Sequence, residues 1–265
     1  MATTTATALA AASAVYAADP WADQVVSYSA GTNPEFGYEN FNAAIGSPSR
    51  ITGASHGFPA PVTPFAAAWP NDEVVSVGAG GHLTVRFDEP IRDLASNAFG
   101  VDVLIFGNAF FADLPDFSGV VTGLYEDGPF MVSVSKDGHV FVPLGQQFRE
   151  GLFPTLSYLD LNGPYDPQPG SVPSDYTRPV NPAITMNDLM GRTFAEVVAL
   201  YAGSGGGIPV DINSSGMSEI SYLRIDVAAD VEFAPEFDGF AAVPEPSSSA
   251  IAIAGALIFR RRRGG

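Results

Sequence analysis

The chain has 265 residues, with 28 glycines, 22 prolines, no cysteine, and 29 acidic against 12 basic residues, a formal charge of −17. That balance excludes a nucleic-acid-binding surface, which needs clustered Lys and Arg to neutralise phosphates. The lack of cysteine excludes disulfides, thiol nucleophiles and Cys-ligated zinc or iron–sulfur centres.

Residues 1–18 are uncharged and rich in Ala and Thr, and they place Val15 and Ala17 at the small-residue positions of a cleavage site, just before Asp19-Pro20. They are expected to be an export signal peptide, one without the usual positive n-region. Residues 19–242 are long enough for one large core. Many short alternating segments between Gly/Pro turns predict an all-β fold, a single β-sandwich of jelly-roll type with one or two short helices.

In chain order, a short helix is expected over Asn40 to Ile45, capped by Asn40 and ended by Gly46. Val74 to Val77 is a weak strand. His82 to Phe87 alternates strictly, with Leu83, Val85 and Phe87 on the core face and His82, Thr84 and Arg86 on the solvent face. Val101 to Phe106 is almost continuously apolar, as a central strand covered on both sides would be. Met131 to Ser135 and Val140 to Leu144 flank Lys136-Asp137-Gly138-His139, whose Asp-Gly pair predicts a tight hairpin. Gly145 to Ile184 holds seven prolines among Phe148, Phe153, Tyr158, Tyr165 and Tyr176. It reads either as a lid over hydrophobic core or as a sugar-stacking surface.

Thr193-Phe194-Ala195-Glu196 is a capping box, followed by Phe194, Val197, Val198 and Tyr201 at helical spacing and a stop at Gly203. Gly203-Ser204-Gly205-Gly206-Gly207 follows that helix instead of opening one, so it is not a phosphate loop, and Ser204 lacks the strand-to-helix turn of a nucleophile elbow. A flexible connection is expected there. Tyr222 to Val227 alternates again, and Phe240 to Val243 is the closing strand.

His56, His82 and His139 show no metal spacing and read as surface residues. Paired acids are too numerous to identify a glycosidase. Calcium is the cofactor the composition invites, because it takes six to eight oxygens from acidic loops. Two clusters qualify: Asp160, Asn162 and Asp166 around a glycine turn, and Asp226, Asp230, Glu232, Glu236 and Asp238 before the closing strand.

The C-terminal 243–265 segment has three parts. Val243-Pro244-Glu245-Pro246 leads into a ten-residue apolar run, Ala250 to Phe259, and then Arg260, Arg261, Arg262 and Arg263. The run is short for a permanent transmembrane helix, which needs about 20 residues, and the arginines would stay on the cytoplasmic face. This arrangement resembles the PEP-CTERM sorting signal of exported bacterial proteins. The resemblance implies transient membrane insertion, an exosortase-type membrane protease as partner, cleavage near Pro244-Glu245-Pro246, and a destination at the cell surface or in the extracellular matrix. Val101-Asp102-Val103-Leu104-Ile105-Phe106-Gly107-Asn108-Ala109-Phe110 and Leu200-Tyr201-Ala202-Gly203-Ser204-Gly205-Gly206-Gly207 are among the stretches similar to a family of secreted or surface proteins with the same tail. That likeness implies a jelly-roll or discoidin-like sandwich and supplies no catalytic residues. The expected role is non-enzymatic, structural or glycan-binding, with extracellular polysaccharide as partner. The competing expectations are a carbohydrate-active enzyme, either a glycoside hydrolase or a lyase, and a calcium-dependent adhesin.

Overall fold

The structure, a computed structural model, describes residues 19–244 apart from Asp127 and Glu150. The expected signal peptide, Glu245, Pro246, the apolar run and Arg260 to Arg263 lie outside the described residues. Among the described residues no helix is long and apolar enough to cross a membrane. The strands are β1 (Gln24–Ser29), β2 (Ile51–Thr52), β3 (Ala60–Pro61), β4 (Val75–Ser76), β5 (His82–Arg92), β6 (Val103–Phe106), β7 (Phe110–Ala112), β8 (Gly123–Tyr125), β9 (Phe130–Ser135), β10 (Val142–Phe148), β11 (Ile208–Val210), β12 (Glu219–Asp226), β13 (Glu236–Phe237) and β14 (Gly239–Ala242). Two helices, α1 (Met186–Leu189) and α2 (Phe194–Tyr201), lie between β10 and β11.

All paired strands are antiparallel, and two sheets form the sandwich. The larger runs β1-β5-β12-β9-β10 and the smaller β11-β6-β14. Period-2 alternation sends Leu83, Val85 and Phe87 of β5, Leu223 and Ile225 of β12, and Val132 and Val134 of β9 into one apolar cluster. Val103 and Ile105 of β6 and Phe240 of β14 enter that cluster from the other sheet. Each such side chain contributes about 1.5–3 kcal/mol on burial. Leu104 and Phe106 point the opposite way and pack with Tyr176 and Ala241, so β6 is covered on both faces, as its apolar run predicts.

Several local expectations are corrected. Thr84 is buried on the outer face of β5, where Ser27 of β1 donates to its hydroxyl at 3.0 Å. His82 is half-buried, and burial together with nearby Arg224 lowers its pKa. The β9–β10 hairpin exists, but its turn is wider than a two-residue Asp-Gly turn and leaves Val140 exposed. Asp137 explains the width: its Oδ1 accepts the backbone N–H groups of His139 and Val140 at 2.8 and 3.0 Å and draws the chain into an open loop. The Asn40-capped segment is a 3-10 turn, Phe41–Ala44.

The helix α2 has the expected capping box, with Glu196 Oε2 accepting the Thr193 N–H at 2.9 Å. It stops one residue early, at Ala202, which itself takes the left-handed conformation with φ 51°. The glycine run beyond it is tightly packed rather than flexible. A Cβ on Gly205 would stand 2.0 Å from the Tyr176 ring, and one on Gly206 2.5 Å from the Pro154 carbonyl. Ser204 is buried and donates its hydroxyl to the Arg178 carbonyl at 2.5 Å, so it is a structural link.

Candidate functional site

The proline-rich segment buries most of its aromatics. Phe148, Phe153 and Tyr176 are core residues, and Phe153 joins Leu156, Val180, Leu189, Phe194 and Tyr201 in a second apolar cluster. Exposed rings instead gather where β7 and β8 pair. Alternation along β7 buries Phe111 in the second cluster and turns Phe110 outward. Phe110 pairs directly with Tyr125 of β8, and the two rings stack at 5.0 Å with 29° between their planes.

A third ring completes the group. Phe233 is 63% exposed and belongs to the loop between β12 and β13. Gly128 lets this loop approach: a Cβ there would lie 1.9 Å from the Phe233 carbonyl oxygen. Phe110, Tyr125 and Phe233 then line a hollow of about 370 Å³ with Asn108, Ala109 and Glu126. Glu126 also lines a second hollow, of about 340 Å³, with Gln146, Gln147, Arg149 and Leu152 among its walls. Arg149 Nη1 stands 3.7 Å from Glu126 Oε1, a partly exposed ion pair between the two hollows. Three partly exposed rings beside an amide and a carboxylate, with a guanidinium in the adjoining hollow, can contact a ligand that has apolar faces and hydroxyl edges.

Most of the acidic residues expected to hold calcium are engaged by donors of the protein itself. Asp160 accepts the Ser171 hydroxyl at 2.6 Å and the Val172 N–H at 3.0 Å, and these bonds lower its pKa to about 2. Asp166 accepts the Asn162 Nδ2 at 2.8 Å and the Gln168 N–H at 3.0 Å. Asp226 is gripped by Arg224 at 2.7 Å, Asp230 and Glu232 are exposed, and Glu236 is buried in β13. Asp238 is also buried, accepting the Ser49 N–H and hydroxyl at 2.9 and 2.8 Å, and burial raises its pKa. Among the described residues, the one group of three His, Asp or Glu ligand atoms lying within 4.8 Å of one another is elsewhere, at Asp93, Asp102 and Asp211.

His56 lies in an exposed loop, 4.9 Å from the Trp69 ring, and His139 lies in the hairpin turn, both on the surface as expected. Neither the aromatic group nor the Asp93 cluster was singled out by the sequence. An adjacent Phe110-Phe111 pair in a short strand is the one local signal, since alternation must expose one of the two.

No protein-family model and no curated protein matches the sequence. Among solved structures, the chain is similar to a pectin-binding carbohydrate-binding module, with 11% identity and a TM-score of 0.26 over 66% of this chain and 73% of that one. It is also similar to a glycoside hydrolase, with 10% identity and a TM-score of 0.24 over 69% of this chain. The match spans 25% of that hydrolase. At these scores neither likeness carries a ligand or a reaction across to this chain.

Proposed function

We propose that this protein is an exported, non-enzymatic glycan-binding module of a bacterial cell surface or extracellular matrix. The observation that supports binding most directly is the hollow whose walls include Phe110, Tyr125 and Phe233 beside Asn108 and Glu126. The C–H faces of a sugar ring stack on aromatic rings, while its hydroxyls exchange water for amide, carboxylate and guanidinium partners. The ligand class is a neutral polysaccharide. The tail takes one acid and four arginines, which leaves the domain with 28 acidic against 8 basic residues, and such a surface repels a polyanion. Export by the N-terminal segment, with sorting and trimming of the Pro244-Glu245-Pro246 tail by an exosortase-type protease, supplies the address.

Glycan-array binding by the purified protein tests this reading. Tyr125→Ala and Phe233→Ala are each expected to weaken binding to neutral glycans by about tenfold, the worth of one lost stacking contact, with little change in melting temperature. Array binding that both variants retain would exclude the groove. Release of reducing ends from a bound polysaccharide would instead favour the carbohydrate-active enzyme. Replacing Arg260 to Arg263 by Gln is expected to disturb surface retention on cell fractionation, and unchanged retention would remove the sorting assignment.

A further inference from the structure

Three strand ends meet at one end of the sandwich. Asp93 directly follows β5, Asp102 directly precedes β6, and Asp211 directly follows β11. One carboxylate oxygen from each lies within 4.8 Å of the others, and Asp102 is fully buried. The ion pairs of Arg86, Lys136, Arg149, Arg192 and Arg224 go to other acids. Three carboxylates this close, with the central one out of water, repel one another unless one takes up a proton or a cation lies between them.

A second, independent feature points to the same ligand. Asn97 is 6% exposed, and its Nδ2 donates to Asp102 Oδ1 at 2.8 Å. That bond fixes which way the amide faces, because a flipped amide would set its oxygen against the carboxylate. Oδ1 of the same amide, two covalent bonds from that nitrogen, is buried and has no hydrogen-bond partner. A buried carbonyl oxygen without a donor is costly, and a cation at the edge of the cluster would satisfy it.

We propose that Asp93, Asn97, Asp102 and Asp211 form a calcium site. All four donors are hard oxygens, as calcium requires, and carboxylates binding through one or both oxygens, with water, complete six to eight ligands. Calcium accepts such oxygens in a flexible arrangement at about 2.3–2.6 Å, which side chains from three strand ends and one loop can supply, whereas magnesium demands a near-ideal octahedron at about 2.0–2.1 Å. Asp102 Oδ2 also accepts the Ile212 N–H at 3.0 Å, and its backbone carbonyl accepts the Val243 N–H at 2.8 Å. The ion would therefore clamp β5, β6 and β11 where the chain leaves β14 for the tail. These residues lie outside both acidic loops that the sequence suggests for calcium, and the site does not depend on the glycan groove.

Isothermal titration of the chelator-treated full-length protein with calcium chloride alone, paired with thermal melting, tests the site. One calcium per chain is expected, with a melting rise of roughly 5–10 °C at 100 times the dissociation constant. Asp211→Asn and Asp93→Asn change less-buried ligands, and each is expected to weaken calcium at least tenfold while the chelated variant stays folded by circular dichroism. Asp160→Asn and Asp226→Asn are expected to leave binding unchanged. No calcium heat and no melting shift in the parent protein would overturn the proposal. So would binding that survives both ligand variants, or an equal melting shift with magnesium at the same concentration.

Discussion

The sandwich and the cover formed by residues 151–207 are held together by different means. In the sandwich, β12 is paired along its length with β5 on one side and β9 on the other, and every second side chain meets the core. The cover has few strands, and its backbone is held by scattered backbone bonds, such as the Leu156 N–H to the Gly205 carbonyl at 3.0 Å, and by side chains. Arg50 donates to the Ser157 carbonyl at 2.6 Å and to the Ser174 carbonyl at 2.9 Å, and its guanidinium lies 4.0 Å over the Tyr176 ring. Tyr201 donates to the Pro154 carbonyl at 2.7 Å and Ser157 to the Val62 carbonyl at 2.6 Å. A ladder distributes its stability over many equivalent bonds, whereas the cover concentrates it in a few residues with several partners each.

Tyr176 is the residue on which that difference is sharpest, because its ring packs on Phe106 and Trp21 and its hydroxyl donates to the Ser49 carbonyl at 3.0 Å. Tyr176→Ala is expected to cost about 3–5 kcal/mol in denaturant unfolding, and Tyr176→Phe about 1 kcal/mol. A loss below 1 kcal/mol for the alanine variant would mean that the cover does not depend on this anchor.

Gly128→Ala is expected to act more locally. It should cost about 1–3 kcal/mol by overpacking against the loop that carries Phe233, and it should also weaken glycan binding, although position 128 does not line the hollow. Full binding with lowered stability would show that Phe233 is not needed.

The smallest effects are pH-dependent and opposite in sign. Asp238, beside β13, holds its proton more tightly when folded, because burial outweighs the Ser49 bonds. Its contribution is therefore greatest below pH 3.8 and is lost as pH rises. Asp160, in the cover, is held at about 2 by Ser171 and Val172, so its contribution is present above pH 3.8 and is lost as pH falls toward 2. Melting curves are expected to show Asp238→Asn stabilising at pH 7 and neutral at pH 3. Asp160→Asn should be slightly destabilising at pH 7 and neutral at pH 2. The same sign for both variants at pH 7 would refute the contrast.

Much of the ladder was legible in the chain, because His82 to Phe87 and Tyr222 to Val227 alternate and Val101 to Phe106 does not. The capping box at Thr193 likewise announced α2, since both of its hydrogen bonds close within four residues. The cover was legible only as one of two readings: Phe153 and Tyr176 follow no period, and only tertiary contact shows that they are buried in apolar clusters instead of forming a binding face. The acids at 160–166 and 226–238 suggested calcium because they are neighbours in the chain. Asp160 caps its own loop, however, and Arg224 takes Asp226.

What the sequence determined by itself is what local periodicity and short-range hydrogen bonding encode: alternating strands, one capped helix, an acidic domain and a basic tail. Tertiary structure alone decided which side chains converge. Phe110 meets Tyr125 through the β7–β8 register, and Phe233 arrives from more than a hundred residues away through the space left by Gly128. Asp93, Asp102 and Asp211 come together only because β5, β6 and β11 end at the same edge of the sandwich. The physical reason is that a site is defined by distance in space, and antiparallel pairing over long loops sets those distances without leaving any spacing rule in the chain.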